Sequence, residues 1–295
     1  MSEILYSFIV PHKNTPDLLN RCINSIPSRE DIQIIVVDDN SEFDKKPNIN
    51  REGVEVVLLD VQHSNGAGHA RNVGLQHARG KWRLFADSDD FYCSGFVDIL
   101  DLYSESRIDI LFFNFHYIDG KSGVDLPPLS FQKYLVEFDG SASACEKVKY
   151  LHNVPWTKMV SRDYLNRYGF YFEEVPNGND VFFSMSIGYF TNSICVEKRP
   201  LYVYVKNDNS ILTSKRTVTG EMCRLEHLIK QNYFYRFLGH KDWEKPVLKG
   251  ILQRIKVLGV PFLGKLIKAS GHLYHNREEW ATIIPEMRNY KSTKE

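Results

Sequence analysis

The sequence predicts an α/β protein, a three-layer sandwich around a parallel sheet, with a helical region at its C-terminal end. Three observations predict it. Over residues 6–115, short apolar runs rich in β-branched and aromatic residues alternate with segments whose apolar positions recur at helical spacing. Two of those runs end in clusters of acids. Beyond residue 214 the strand pattern disappears. Strand and helix alternating at this pitch imply parallel strands joined by right-handed crossovers, with helices on both faces.

The elements follow in order. Residues 6–10 form a short apolar strand ended by Pro11, and Leu18, Leu19, Cys22, Ile23 and Ile26 then mark one helix face. Residues 32–37 (IQIIVV) read as a strand buried on both sides, and residues 54–59 repeat the signal. A glycine-rich turn at residues 66–68 opens a helix carrying Ala70, Val73, Leu75 and Ala78, closed by Gly80. Strands are expected at residues 82–86 and 108–115, with a helix at 95–103 between them. From residue 120 the pattern loosens. It predicts a loop at 120–128, a strand near 134–138, and helices at 145–152, 161–168 and 180–189. Strands follow at 193–196 and 201–205. Residues 218–290 read as helical, so the expected division is a sheet domain over 1–214 and a helical region over 215–295.

Composition excludes several classes. Lys plus Arg equals Asp plus Glu at 37 each, without the basic excess of a nucleic-acid binder. Five widely spaced cysteines form no CxxC pair, which argues against a zinc or disulfide framework and for a reducing compartment. The N-terminus lacks a basic segment followed by a long apolar one, and no apolar run approaches the roughly 20 residues of a membrane-spanning helix. The expected location is the cytoplasm.

The sharpest chemical feature is Phe85-Ala86-Asp87-Ser88-Asp89-Asp90, three acids where a strand leaves the C-terminal edge of the sheet. Ligands of open α/β sheets bind at that edge. Crowded carboxylates there call for a cation or other positive groups, and hard cations such as Mg²⁺ or Mn²⁺ take a few carboxylates and fill their other positions with phosphate oxygens. The plainer alternative has Asp89 or Asp90 capping the next helix. Residues 36–41 (VVDDNS) deliver a second acidic pair to the same edge, or else an Asx turn. In Gly66-Ala67-Gly68-His69-Ala70-Arg71 a dinucleotide fingerprint would need glycine where Arg71 stands. The turn suits placing Arg71 beside anionic groups instead. Asp180 opens a helix after the loop 176–179 and reads, on its own, as an N-cap.

Taken in order, SFIVPHKN, IIVVDDNS, GAGHARNVGLQHARGKW, LFADSDDFY, PWTKMVSRDYL, NGNDVFF and YVYVKNDNSI resemble the family 2 glycosyltransferases of the GT-A fold, over residues 7–210. The resemblance implies transfer of a sugar from a nucleotide diphosphate sugar to a hydroxyl, with inversion. It implies that Pro11, His12 and Lys13 line the base and that Asp39 accepts a hydrogen bond from it, usually from uracil. Arg71 would sit beside the nucleotide and hold the acidic loop. Asp87-Ser88-Asp89 would be the DxD motif, with Asp87 toward the ribose and Asp89 ligating Mn²⁺ or Mg²⁺. Asp180 would be the general base. This chain has Lys13 where the family usually carries an aromatic residue, and Asn179 where an acid usually precedes the base.

Four supporting residues are weighed. Trp156 either stacks on an acceptor sugar or packs in the core, with Lys158 and Asn179 on the same acceptor side. Lys206 either reaches the diphosphate or is a solvated lysine. Residues 245–277 hold seven basic side chains and no acid, leaving −7 on the rest of the chain. Leu248, Ile251, Leu252, Ile255, Leu258, Phe262 and Leu266 form one apolar stripe there. That stripe packs on the catalytic domain or a second copy, or lies on the inner face of an anionic membrane. The expected partners are a nucleotide diphosphate sugar donor and a glycan or lipid-linked acceptor in surface polysaccharide or glycoconjugate synthesis. Two rival readings remain, a catalytically silent sugar-nucleotide-binding module and a metal-dependent phosphohydrolase. The second wants a Thr where Phe91 stands.

Overall fold

The computed structural model describes residues 3–49, 51–207 and 217–275. The first half follows the expected alternation: β1 (Tyr6–His12), α1 (Pro16–Ser25), β2 (Ile32–Asp38), β3 (Val54–Leu58), α2 (Gly66–His77) and β4 (Trp82–Phe85). β1 and β2 are buried almost throughout, as strands covered on both faces must be, and their apolar runs supply that burial. Then come β5 (Phe91–Tyr92), α3 (Phe96–Asp101), β6 (Ile110–Asp119), α4 (Lys133–Val136), α5 (Ala142–Leu151), β7 (Lys158–Ser161), α6 (Arg162–Tyr168), α7 (Val181–Tyr189) and β8 (Ile194–Lys206).

One eight-stranded sheet has the order β3-β2-β1-β4-β7-β6-β8-β5. β1 to β4 are parallel, but β7 runs antiparallel to β4 and β6, and β5 antiparallel to β8. The sheet is therefore mixed, correcting the parallel expectation. The parallel alternation holds for β1 to β4. β7 is inserted between β4 and β6 against the direction of both and passes directly into α6, whose first turn Ser161 caps by accepting from Tyr164 N. Both strands missed by patterning, β5 and β7, are too short to show a period.

Two further expectations fail for physical reasons. The segment near 134–138 is a short helix, not a strand. Its buried residue is Leu135 while Val136 is half exposed, the reverse of what the Tyr134-Val136-Phe138 alternation requires. The two strands expected at 193–205 are one strand, β8, whose register against β6 slips between Phe113 and Phe115. Pro200, which has no N–H to give a ladder, stands in that irregularity.

The helical region begins with α8 (Val218–Phe237), capped by the Thr217 side chain, and continues with α9 (Val247–Leu258) and α10 (Leu263–His275). α8 buries Phe234 and Tyr235 against Phe182 and Met185 of α7 and Tyr150 of α5. On another face it packs Leu225, Ile229 and Tyr233 against Val247, Ile251, Ile255 and Leu266. The expected boundary at 214 and residues 276–290 of the expected helices lie outside the described residues.

Candidate active site

Register brings the strand ends together. β1 pairs His12 with Asp38 of β2, and Ile9 with Phe85 of β4, so residues 13, 39 and 86–90 leave the sheet side by side. Two asparagines turn the corners. Asn14 and Asn40 adopt left-handed backbone (φ 60° and 55°), a region Asn enters more readily than most residues. Asn14 N–H donates to Ser41 Oγ at 2.8 Å, tying one corner to the other.

His12 is buried and its ring faces inward. Its Nε2 accepts from Thr15 N–H at 3.1 Å, so Nδ1 carries the proton it gives Asp38 Oδ1 at 2.7 Å. Its carbonyl accepts from Asp39 N–H at 2.9 Å. Asp39 sits at the start of α2, where Oδ1 accepts from Ser64 Oγ (2.8 Å) and from Asn65 and Gly66 N–H (3.1 and 3.2 Å). A carboxylate there suits the helix dipole. Its Oδ2 takes the Lys13 ammonium at 3.1 Å.

Arg71 of α2 is the centre of the arrangement. Nη2 donates to Asp87 Oδ1 at 2.5 Å, Nη1 donates to Asn179 Oδ1 at 2.7 Å, and the guanidinium lies 5.4 Å over the Phe172 ring. Its buried Nε has no partner in the structure. The acidic loop is fixed from three sides. Arg21 of α1, which local patterning does not mark, donates to the Asp89 carbonyl. Asn207 Nδ2 donates to Asp89 Oδ2 at 3.2 Å. Tyr202 O–H accepts from Asp87 N–H at 3.0 Å and donates to Asp90 Oδ2 at 3.0 Å. Asp90 is fully buried and also accepts from Val205 N–H at 2.8 Å. It anchors β8 and caps no helix, because α3 starts after Gly95.

Burial, and then the charge of Asp87, push the Asp89 carboxyl above its usual range. Paired hard oxygens that resist sharing negative charge fit a divalent cation. Among the described residues no group of three or more His, Cys, Asp or Glu side chains converges as a metal site. A cation beside Asp87 and Asp89 would thus take most of its ligands from phosphate and water, as Mg²⁺ commonly does.

Asp180 precedes α7 but makes no side-chain cap bond, so the N-cap alternative does not describe it. Burial raises its pKa, opposed by the Arg71 charge and supported by that of Asp87. The loop leading to it is gripped by two helices. From α2, His69 pairs with Glu174 at 2.8 Å, and Gly68 lies so close that a Cβ would stand 2.1 Å from the Glu173 carbonyl. From α8, His227 pairs with Glu173 at 2.9 Å, Cys223 Sγ donates to the Asn177 carbonyl at 3.2 Å, and Arg224 donates to Asn177 Oδ1 at 3.3 Å. Burial pulls the His227 pKa down, but Cys223 and Glu173 outweigh it and bring it to about 9. No sequence signal linked residues 223–227 to this loop.

The remaining candidates separate. Trp156 is 4 % exposed and stacks on Tyr202 and Tyr204 (ring centroids 5.0 and 5.2 Å), the core-packing alternative. Lys158 is fully buried, with Nζ donating to the His152 carbonyl at 3.0 Å and to the Val154 carbonyl, and burial brings its pKa to about 7. Both side chains are thus engaged inside the protein. Asn179 is drawn onto Arg71. Lys206 is exposed at the end of β8, next to residues 208–216, which lie outside the described residues. Ser88 Oγ lies 3.5 Å from Thr15 Oγ1, at the mouth of the same cluster, and Pro11 is buried in β1.

Comparison with known proteins gives a consistent result. The family model described as Glycosyl transferase family 2 matches residues 7–169. The chain is 26 % identical over 240 residues to the uncharacterized glycosyltransferase EpsJ of Bacillus subtilis, covering 77 % of this chain and 67 % of EpsJ. It is 27 % identical over 209 residues to TarS of Staphylococcus aureus, a poly(ribitol-phosphate) beta-N-acetylglucosaminyltransferase, covering 68 % of this chain and 35 % of TarS. Among solved structures, residues 1–349 of S. aureus TarS in complex with UDP-GlcNAc align with TM-score 0.61 and 19 % identity, over 95 % of this chain and 89 % of that one. A Pyrobaculum calidifontis mannosyltransferase in complex with GDP-Man and Mn²⁺ aligns with TM-score 0.53 and 14 % identity, over 96 % and 84 % of the two chains.

Proposed function

The chain belongs to glycosyl transferase family 2, with a GT-A fold followed by C-terminal helices, and from that premise we propose that it transfers a sugar from a nucleotide diphosphate sugar to a hydroxyl with inversion. One observation carries the reading. Asp180, on the rim of the acidic strand-end cluster, has a carboxyl that no helix N–H occupies and that burial makes more basic. A carboxylate made more basic by burial, beside the acidic strand-end cluster, is what direct displacement at an anomeric carbon needs.

In this reading Lys13 and Asp39 lie against the base, with the backbone of Pro11 and His12 forming the wall. Arg71 holds Asp87 toward the ribose and keeps Asn179, and with it Asp180, at the right side of the cluster. Asp89 would hold Mn²⁺ or Mg²⁺, which would supply positive charge to the leaving diphosphate. Asp180 takes the proton from the acceptor hydroxyl as the new bond forms on the opposite face. The TarS complex with UDP-GlcNAc supports a UDP-linked donor, and the kinship with poly(ribitol-phosphate) transferases supports an acceptor in surface polysaccharide or glycoconjugate synthesis, glycan or lipid-linked.

Thermal shift across UDP, GDP and dTDP sugars with Mn²⁺ identifies the donor, with a UDP sugar expected to stabilise most. Asp180→Asn should keep that shift while transfer falls by about 10²-fold or more. Turnover by the Asn variant at the wild-type rate would remove Asp180 as the base. A normal donor shift with no transfer by the wild-type chain to any hydroxyl acceptor would favour a silent binding module.

A further inference from the structure

The apolar stripe of α9 and α10 divides in two. One face of α9 is seated on α8. Gly250 approaches so closely that a Cβ would stand 2.4 Å from Leu228 Cδ2, and buried Arg254 donates from Nε to the Glu221 carbonyl at 3.1 Å and from Nη1 to the Gly250 carbonyl at 2.8 Å. With Val247, Ile251 and Ile255 also turned inward, the helix is fixed in rotation. Its other side is consequently held outward, and it mixes exposed apolar residues with lysines and Gln253 instead of the uniformly polar surface such a helix normally shows. Leu248 is 69 % exposed, Leu252 51 %, Val257 40 %, and beyond the turn Val260 is 70 % and Ile267 55 %. Between them stand exposed Lys249, Lys256, Lys265 and Lys268, and no acid occurs anywhere from 245 to 277.

We propose that this outward face of α9 and α10 docks on an anionic lipid bilayer surface. The charge pattern selects the occupant. A two-fold contact with a second copy sets a patch against itself, which would bring these lysines against the same lysines with no acid to pair them. An anionic headgroup layer pairs every lysine, while the lysine stems let the ammonium groups rise to the headgroups as the leucines enter the acyl boundary. The apolar side chains are also spread along two helices instead of gathered in a pocket, which suits a planar medium more than a folded partner. A surface of this kind would hold the acidic cluster of the catalytic part close to a membrane without any spanning segment, and among the described residues no helix is long and apolar enough to span one.

The test is co-sedimentation of the full chain with phosphatidylcholine vesicles, with and without phosphatidylglycerol, at low and high salt. The expected result is binding only with phosphatidylglycerol, weakened by salt. Leu248→Ser/Leu252→Ser and, separately, Lys249→Glu/Lys256→Glu should each lower binding by about tenfold or more. All four side chains are exposed, and unchanged circular dichroism and melting temperature verify that each variant is folded. Failure to bind phosphatidylglycerol vesicles overturns the proposal, as does binding that neither variant weakens. Self-association that both variants abolish, without lipid binding, would assign the face to a second copy. Binding to polyglutamate but not to vesicles would assign it to an acidic protein partner. None of these measurements involves a donor or an acceptor, so their outcome is independent of the transferase reading.

Discussion

Burial raises the carboxyls of both Asp89 and Asp180, but the next influence differs in sign: the negative charge of Asp87 acts on the first, the positive charge of Arg71 on the second. Asp89 is therefore a charge in want of a cation. Its raised folded-state pKa costs stability at neutral pH, and that cost is relieved as pH falls through it. Asp89→Asn is expected to raise the melting temperature of the metal-free protein near neutral pH, with the gain fading in mild acid, and to abolish the Mn²⁺ dependence of UDP-sugar binding. Thermal melts at two pH values, with and without Mn²⁺ and donor, measure both. Asp180 works as a base only when deprotonated. The acid limb of its kcat/KM profile should accordingly lie above the ordinary aspartate range of about 3.9, and replacing Arg71 by Gln, which removes the opposing charge, should move it higher still. A limb in the ordinary range would mean that another group limits the rate.

At the scale of elements, the contact between α2 and the loop before Asp180 is the least forgiving part of the molecule. Gly68→Ala would press a methyl onto a backbone carbonyl, which no side-chain rotation relieves. It should cost about 1–3 kcal/mol by denaturation and lower kcat more than it raises donor KM, because the shifted loop carries the base. Gly271→Ala, in α10 with open space around it, is the control and should gain up to about 1 kcal/mol. Local pattern could read part of this arrangement. β1, β2 and β4 were legible because strands buried on both faces are written as unbroken apolar runs, and Asp87–Asp90 and Asp39 because acids at such ends stand out. Arg21, Tyr202 and His227 were not legible. They reach the site across 68, 115 and 54 residues of sequence, respectively, to partners that no local spacing encodes. The helix at 133–136 was misread because three alternating apolar residues are too few to distinguish a strand from one helical turn.

Across the whole molecule, the sheet part and the helices beyond residue 216 are joined by shared contacts. α8 belongs to both, gripping the base loop through His227 and Cys223 and sharing a core with α7. Denaturation should therefore be one cooperative transition. Far-UV circular dichroism and the fluorescence of Trp82 and Trp156, read in a Trp243→Phe/Trp280→Phe background, should give coincident midpoints. Two separated transitions would make the helices a domain of their own.

The strand order carries one more consequence. β4 and β5 are joined by only residues 86–90, yet they stand fourth and eighth in the sheet. Laid flat, four strand spacings would span about 19 Å. Six residue steps reach about 20–22 Å only when fully extended. The connection is not extended, because Asp90 N–H turns back to the Asp87 carbonyl at 3.1 Å. The sheet must curl until its far edge meets its middle, and Tyr92 of β5 does lie edge-on to Phe8 of β1, 5.3 Å between ring centroids. The acidic segment is thus a short cord drawn across the mouth of a trough. Its length sets the trough's width, so the spacing of the acids and the curvature of the sheet cannot drift independently in evolution.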